Sequence, residues 1–393
     1  NILITYRASS PKHLIFFTFQ TIRITFKPMN LNQLSTFLES IAPLAYQEDY
    51  DNSGLIIGDP NKEISNALIS LDCTEEVVDE AIQHQCDIII SHHPIVFRGL
   101  KKLNGKTYIE RVVMKAIKHD IALYAIHTNF DNVLNGVNAK ICSKLGLTQC
   151  HILSPKQNLF KKLVTFCPTN HANQLRKALF KAGAGHIGNY SECSFYANGT
   201  GTFKGNDSTS PFVGVRGQQH REEEIRIETI YPAHIEHHLL KVLKESHPYE
   251  EAAFDVYSLS NHAPQIGSGM IGILEKATEE ETFLRYVKKQ LNTKVIRHTT
   301  FRNKKVHRVA VCGGAGSFLL PQAIRAEADL FITADYKYHE FFEAEKKIVI
   351  ADVGHFESEQ FTQELLQELI TKKFPKFVTR LTGQSTNPIN YLI

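Results

Sequence analysis

The chain carries no CxxC pair, no apolar run approaching the roughly 20 residues that a membrane-spanning helix needs, and no marked excess of charge of either sign. Its seven cysteines (Cys73, Cys86, Cys142, Cys150, Cys167, Cys193 and Cys312) are odd in number and dispersed. That pattern argues against a disulfide framework and for reduced thiols in a cytoplasmic protein. A formal net charge of +3 is too weak a field to recruit nucleic acid. With 42% hydrophobic and 22% charged residues among 393, the composition excludes disordered and fibrous classes and suggests two or three domains.

Acidic residues are missing altogether from the first 28 positions, which hold Arg7, Lys12, Arg23 and Lys27. Without them Lys+Arg falls to 40 against 41 Asp+Glu, and the first methionine of the chain is Met29. The segment lacks the small residues and cationic amphipathic helix of a transit peptide. Residues 1–28 are therefore expected to be an extension outside the fold.

From Met29 onward, strand-like and helix-like stretches alternate. The spacing predicts helices over 31–41, 75–84, 108–119 and 136–145, and strands over 55–57, 67–71, 87–91 and 121–126. This alternation is that of a covered α/β sheet. Near Pro155 the style changes. Strands over 161–167, 191–202, 224–230 and 252–259 and helices over 172–182 and 235–246 give β-α-β-β-α-β, the ferredoxin-like plan. The first style resumes at Gly267, with a capping box Thr278–Glu281 opening a helix over 283–291, strands over 306–311, 328–333 and 348–353, and one long helix over 357–371. The expected organisation is an α/β domain split into 29–155 and 263–393, interrupted by an insert at 156–262.

Three of the apolar runs end in chemistry. Asp87-Ile-Ile-Ile-Ser runs into His92-His93-Pro94. Ile121–Ile126 runs into His127-Thr-Asn-Phe-Asp131-Asn. Ile348–Val353 runs into Gly354-His355-Phe-Glu-Ser-Glu359. In open α/β sheets the chemistry gathers beyond the carboxyl ends of the strands, so three such strands, parallel in one sheet, would open onto one rim. His355 and Glu359 are one helical turn apart and share a face. Imidazoles with carboxylates and no thiolate favour Zn, Mn, Fe, Co or Ni. Five donors (His92, His93, Asp131, His355 and Glu359) exceed what one tetrahedral zinc requires and suit two divalent ions, with Asp131 and Glu359 as candidate bridges. His127 and His339 are candidates for acid/base catalysis or for orienting a ligand.

Other motifs read more simply. Gly313-Gly-Ala-Gly316 after a strand is a tight turn rather than a phosphate cradle, because the full glycine spacing is missing. Arg98, Lys101, Lys102 and Lys337 follow the donor motifs and could meet a polyphosphate, although surface cations are usually only solvated. His247-Pro-Tyr-Glu-Glu251 reads as a structured turn.

Asp51-Asn-Ser-Gly-Leu, Ser91-His-His-Pro, His127-Thr-Asn-Phe-Asp131-Asn and Gly354-His-Phe-Glu-Ser-Glu359 stand in the order seen in the Nif-three-like family, the GTP cyclohydrolase 1 type 2 homologs, which the chain resembles from Met29 to its end. Ala182-Gly-Ala-Gly-His-Ile-Gly-Asn-Tyr and the His247 motif resemble the PII/CutA-like insert of longer members. The resemblance implies a dinuclear metal centre on His92, His93, Asp131, His355 and Glu359. It also implies a toroidal homohexamer, a trimer of dimers, and the conversion of GTP to 7,8-dihydroneopterin triphosphate and formate. The donor set is equally compatible with another dinuclear hydrolase, such as a phosphoesterase, or with a non-enzymatic metal-binding regulatory or scaffold protein.

Overall fold

The computed structural model describes residues 29–392; the expected extension 1–28 lies outside the described residues. Three large sheets organise the chain. The first has five strands in the order Val378–Leu381, Asn66–Ser70, Ile88–Ser91, Ala122–Ala125, Gly54–Ile57. Its first four strands are parallel, and Gly54–Ile57 closes the edge antiparallel. The second has six strands in the order Arg297–His298, Val349–Asp352, Leu330–Ala334, Lys305–Ala315, Gly267–Glu279, Thr148–Pro155, with a parallel centre and antiparallel flanks. The third has four antiparallel strands, Phe254–Leu259, Phe160–Pro168, Gln219–Pro232 and Phe195–Lys204.

The continuous apolar runs are central strands buried on both faces, as parallel strands are. In Ile88–Ser91, Ile88 and Ile90 enter one core and Ile89 enters another. In the six-stranded sheet Leu330 and Ile332 join that first core while Phe331 faces a third. One core thus takes side chains from two sheets and from the helices Leu31–Ile41, Val137–Lys144, Glu280–Gln290 and Thr362–Lys373. Truncating a fully buried isoleucine such as Ile90 in such a core costs about 2–5 kcal/mol.

The three metal-motif strands do not share one sheet as the sequence led us to expect. Ile88–Ser91 and Ala122–Ala125 are in the first, and Val349–Asp352 is in the second. The two sheets are tied by strands that cross over. Val378–Leu381 returns to pair with Asn66–Ser70, and Thr148–Pro155, which precedes the strands of the four-stranded sheet in the chain, pairs with Gly267–Glu279, which follows them.

Two local expectations are also corrected. Thr278 lies in the strand Gly267–Glu279 and caps nothing; its hydroxyl donates to Lys276 O. The next helix begins at Glu280, whose buried carboxylate is held by Arg302 Nε at 3.2 Å and by the Arg302 and Asn303 amides. The single long helix is two, His355–Glu359 and Thr362–Lys373. The break lets Glu359 aim at the site while Leu366 and Ile370 pack in the core.

The four-stranded sheet carries the helices Ala172–Lys181 and Glu236–Ser246 on one face, around a core of its own that includes Leu163, Leu175, Leu179, Tyr231 and Leu239. All seven cysteines are free thiols. Among the described residues no helix is long and apolar enough to cross a membrane.

Candidate metal centre

The chain at Ser91–His93 continues the strand ladder, with the His92 and His93 amides bonded to Ser70 O and Leu71 O. The chain bends at His92 and His93, and the two imidazoles stand side by side, ring centroids 4.9 Å apart, while their Nδ1 atoms reach different partners. His92, fully buried, donates from Nδ1 to Ile126 O at 2.8 Å. His93 donates from Nδ1 to Asp72 Oδ1 at 2.7 Å. His127 makes the same bond to Asp51 at 2.8 Å, and His355 to Asp335 at 2.7 Å. Four histidines are therefore each fixed through Nδ1, which leaves Nε2 for the centre. This is the arrangement by which proteins set the tautomer and angle of metal-ligating imidazoles.

The remaining atoms converge. Glu359, 3% exposed, has Oε2 at 3.0 Å from His93 Nε2 and 3.1 Å from His355 Nε2. Those two nitrogens are 3.3 Å apart. His92 Nε2 lies 3.7 Å from Asp131 Oδ1 and 3.9 Å from Glu359 Oε1. Three overlapping trios have donor atoms within 4.8 Å of one another: His92, His93 and His127; His93, His355 and Glu359; His92, Asp131 and Glu359. All five sequence-derived donors thus meet across the two sheets. His127, expected to act as an acid/base or orienting group, stands among the donors. His339 is not brought in: it is exposed, its ring lies against Tyr338 and Phe342, and no trio includes it.

The residues fit a cation. His92 Nε2 and Asp131 Oδ1 are buried with no hydrogen-bond partner, a condition that costs about 1–3 kcal/mol per group if nothing satisfies it. The charges show the same need. Burial depresses the His93 pKa, but Asp72 and Glu359 override it and push it up to about 10. Burial opposes His355 as well, and Glu359 and Asp335 raise it to about 11. Burial pushes Asp131 upward and the Glu359 charge adds to it. Glu359 is held well below the usual carboxylate range by His355, His92 and His93 despite its burial. Without cations, protons on the imidazoles must neutralise the cluster.

A pH dependence follows. A histidine whose folded pKa lies above its unfolded 6.5 lends stability that is complete below 6.5 and lost as pH rises through 10–11. A depressed Glu359 lends stability present above its unfolded value of 4.5. Chelator-treated protein should therefore melt at lower temperature as pH rises from 6 towards 10. Metal affinity should rise over the same span, because each cation displaces imidazole protons. Thermal melts and metal titrations across that range check both slopes.

The supporting residues were only partly foreseen. Asp51, noted in the sequence only as part of a family motif, accepts from the Asn52 amide, His127, the Thr128 amide and hydroxyl, and Ser53. These bonds hold its carboxyl far below the usual range against the opposing effect of burial. Asp72 was missed, although it closes the strand beside His93; Thr386, from the C-terminal tail, donates to its other oxygen at 2.6 Å. Gly313 to Ala315 are not the expected tight turn but the irregular end of the strand Lys305–Ala315, and no phosphate cradle. The Gly313 amide bonds Asn138 Oδ1 and the Gly314 amide bonds Ser358 Oγ, so this stretch is a bed for Glu359. Asn138 also donates to Asp131 O and so joins the Asp131 and Gly313 stretches at the site. Arg98, Lys101, Lys102 and Lys337 are exposed. Replacing Asp335 by asparagine should keep the fold and weaken metal binding by about 10–100-fold, read by competition with a chromogenic chelator.

A mixed α/β protein of several sheets, with an interior histidine–carboxylate cluster suited to divalent cations, is the class that fold and site define. The family model described as Duf34/NIF3 (NGG1p interacting factor 3) matches residues 29–388, and the chain belongs to that family. It is 39% identical over 362 residues to a Halalkalibacterium halodurans protein named GTP cyclohydrolase 1 type 2 homolog, covering 90% of this chain and 96% of that one. A Bacillus subtilis protein of the same name is 36% identical over 376 residues, 93% of this chain and all of the other. The crystal structure of a Bacillus cereus protein related to NIF3 aligns with a TM-score of 0.80 at 39% identity, over 93% of this chain and 100% of that one.

Proposed function

We propose that the chain is a metal-dependent hydrolase that converts GTP and water to 7,8-dihydroneopterin triphosphate and formate. Two divalent ions would be held by His92, His93, Asp131, His355 and Glu359, with His127 as a sixth donor. The observation that carries this reading is the meeting of these side chains from both halves of the chain, with His92 Nε2 and Asp131 Oδ1 buried and unpaired. The names of the relatives support a guanine nucleotide as substrate. Divalent ions at such a cluster supply Lewis acidity and bring the pKa of water to roughly 7, which is what water addition at C8 of guanine requires. Asp51, Asp72, Asp335 and Ile126 O hold the imidazoles in register, so little reorganisation accompanies binding. His92, His93 and Glu359 each belong to two of the three trios; of these only Glu359 has two donor oxygens, so it is the residue that two ions could share.

The reading extends to architecture. Residues 29–155 and 263–393 act as one metal-binding unit. The strand order of 160–259, with the last strand beside the first and the second at the far edge, supports a ferredoxin-like insert of the PII/CutA kind. The assembly is a homohexamer, which light scattering of the purified protein tests.

The decisive experiment for the reaction incubates metal-loaded protein with GTP and measures formate and the pterin fluorescence of the product. Both are expected from the parent chain and not from His92→Ala. Tight metal binding without formate would falsify the proposed reaction.

A further inference from the structure

A cleft of about 580 Å³ opens on the four-stranded sheet, within the size range of small-molecule sites. Residues 197–205 all line it; on the face that Gly199 and Gly201 share with Glu224, the register partner of Gly199, the strand offers backbone where side chains would stand. Glycine inside a strand weakens it and often marks the close approach of a ligand or another backbone. A Cβ on Gly199 would meet nothing within 4 Å, which is open room; one on Gly201 would strike the Glu224 carboxylate at 2.0 Å.

Glu224 is the polar feature of the cleft. It is 8% exposed, and Tyr249 donates to its Oε1 at 2.9 Å. Among the described residues no other side-chain or amide donor reaches that carboxylate, which has room for about four hydrogen bonds. Tyr249 is itself fixed: His247 accepts from its amide and donates to Phe166 O at 2.8 Å. The rings of Phe203 and Phe212 lie 5.8 and 6.3 Å from that of Tyr249, so the cleft has aromatic walls. At the mouth, Glu250 is engaged by the Ser210 amide and Arg226 by Glu228, while Lys204 also lines the opening.

We propose that this cleft binds a flat heterocycle whose edge donates paired N–H bonds, the edge that guanine and pterins share, with Glu224 as acceptor and the aromatic walls against the ring. Adenine, which offers one donor and one acceptor on the corresponding edge, mismatches a carboxylate. The cleft chemistry stands apart from the metal centre; only the choice of guanine and pterin as probes rests on the proposed reaction.

The test is calorimetry on the full chain with guanosine, 7,8-dihydroneopterin and adenosine, none of which carries phosphates to attract metal. Guanosine or the pterin is expected to bind at one site per chain, with adenosine at least about tenfold weaker. Gly199→Val, which fills the open room with a strand-favouring residue, should abolish binding and leave metal content unchanged. Glu224→Gln should weaken it at least about tenfold, because an amide N–H₂ then faces the donor edge. The proposal is overturned if neither probe binds, if Gly199→Val binds like the parent, or if binding vanishes in Glu359→Ala and survives in Gly199→Val, which would put the heterocycle at the metal centre. Cleft binding without GTP turnover would instead sink the reaction and leave this site standing.

Discussion

Glu359→Ala is expected to yield a folded chain that retains below about a tenth of the parent's bound metal. The side chain is 3% exposed and contacts His93 and His355 while facing His92. No neighbour can replace it, because Asp131 reaches only the His92 side. Removing one partner of a buried ion pair commonly costs about 3–5 kcal/mol, when the surviving charge is trapped. Here the survivors are imidazoles that can release their protons, so the cost falls short of that range and the two-sheet core keeps the fold. The His93 and His355 pKa values should drop once the shared anion is gone, a shift visible by NMR of the imidazole C–H signals. Elemental analysis reads the metal and near-UV dichroism the fold. A Glu359→Ala protein with full metal content would mean that the imidazoles alone hold the ions.

The donors could be read from the sequence because each follows a continuous apolar run. A strand buried on both faces needs such a run, and the sheet rule says where its end lies. The partition of those strands between two sheets was not legible. Ile88–Ser91 and Val349–Asp352 look alike locally, and which neighbour each takes is decided by distant pairings such as Val378–Leu381 with Asn66–Ser70. Short or polar edge strands, Thr148–Pro155 among them, show little alternation to detect. The orienting carboxylates were harder still. Asp51 stood out only as part of a family motif, and Asp72 follows a strand without a histidine beside it. Their roles exist only once His127 and His93 fold against them. The placement of His127 among the donors has the same origin: its bond to Asp51 spans 76 residues of chain.

Gly314→Ala should do nearly the damage of losing Glu359 without altering any donor. Gly314 has φ +61, and an added Cβ would stand 2.4 Å from Glu359 Oε1 and 3.2 Å from His355 Cε1. The backbone is unable to turn away, because its amide bonds Ser358 Oγ at 2.9 Å and its carbonyl accepts from Thr333 Oγ1 at 3.0 Å. A non-glycine residue in that conformation costs about 1–3 kcal/mol by itself. The carboxylate must then shift, and a donor displaced by even about half an ångström leaves the productive geometry. The expected result is a stability loss of that size together with a fall in metal affinity of about 10–100-fold. Gly99→Ala is the control, since a Cβ there meets nothing within 4 Å. Thermal melts with and without chelator separate the two effects. If strain alone matters, both melts fall equally and metal affinity holds. If Glu359 is pushed off the ions, the gain in melting temperature on adding metal shrinks, and that second outcome is the one the geometry demands.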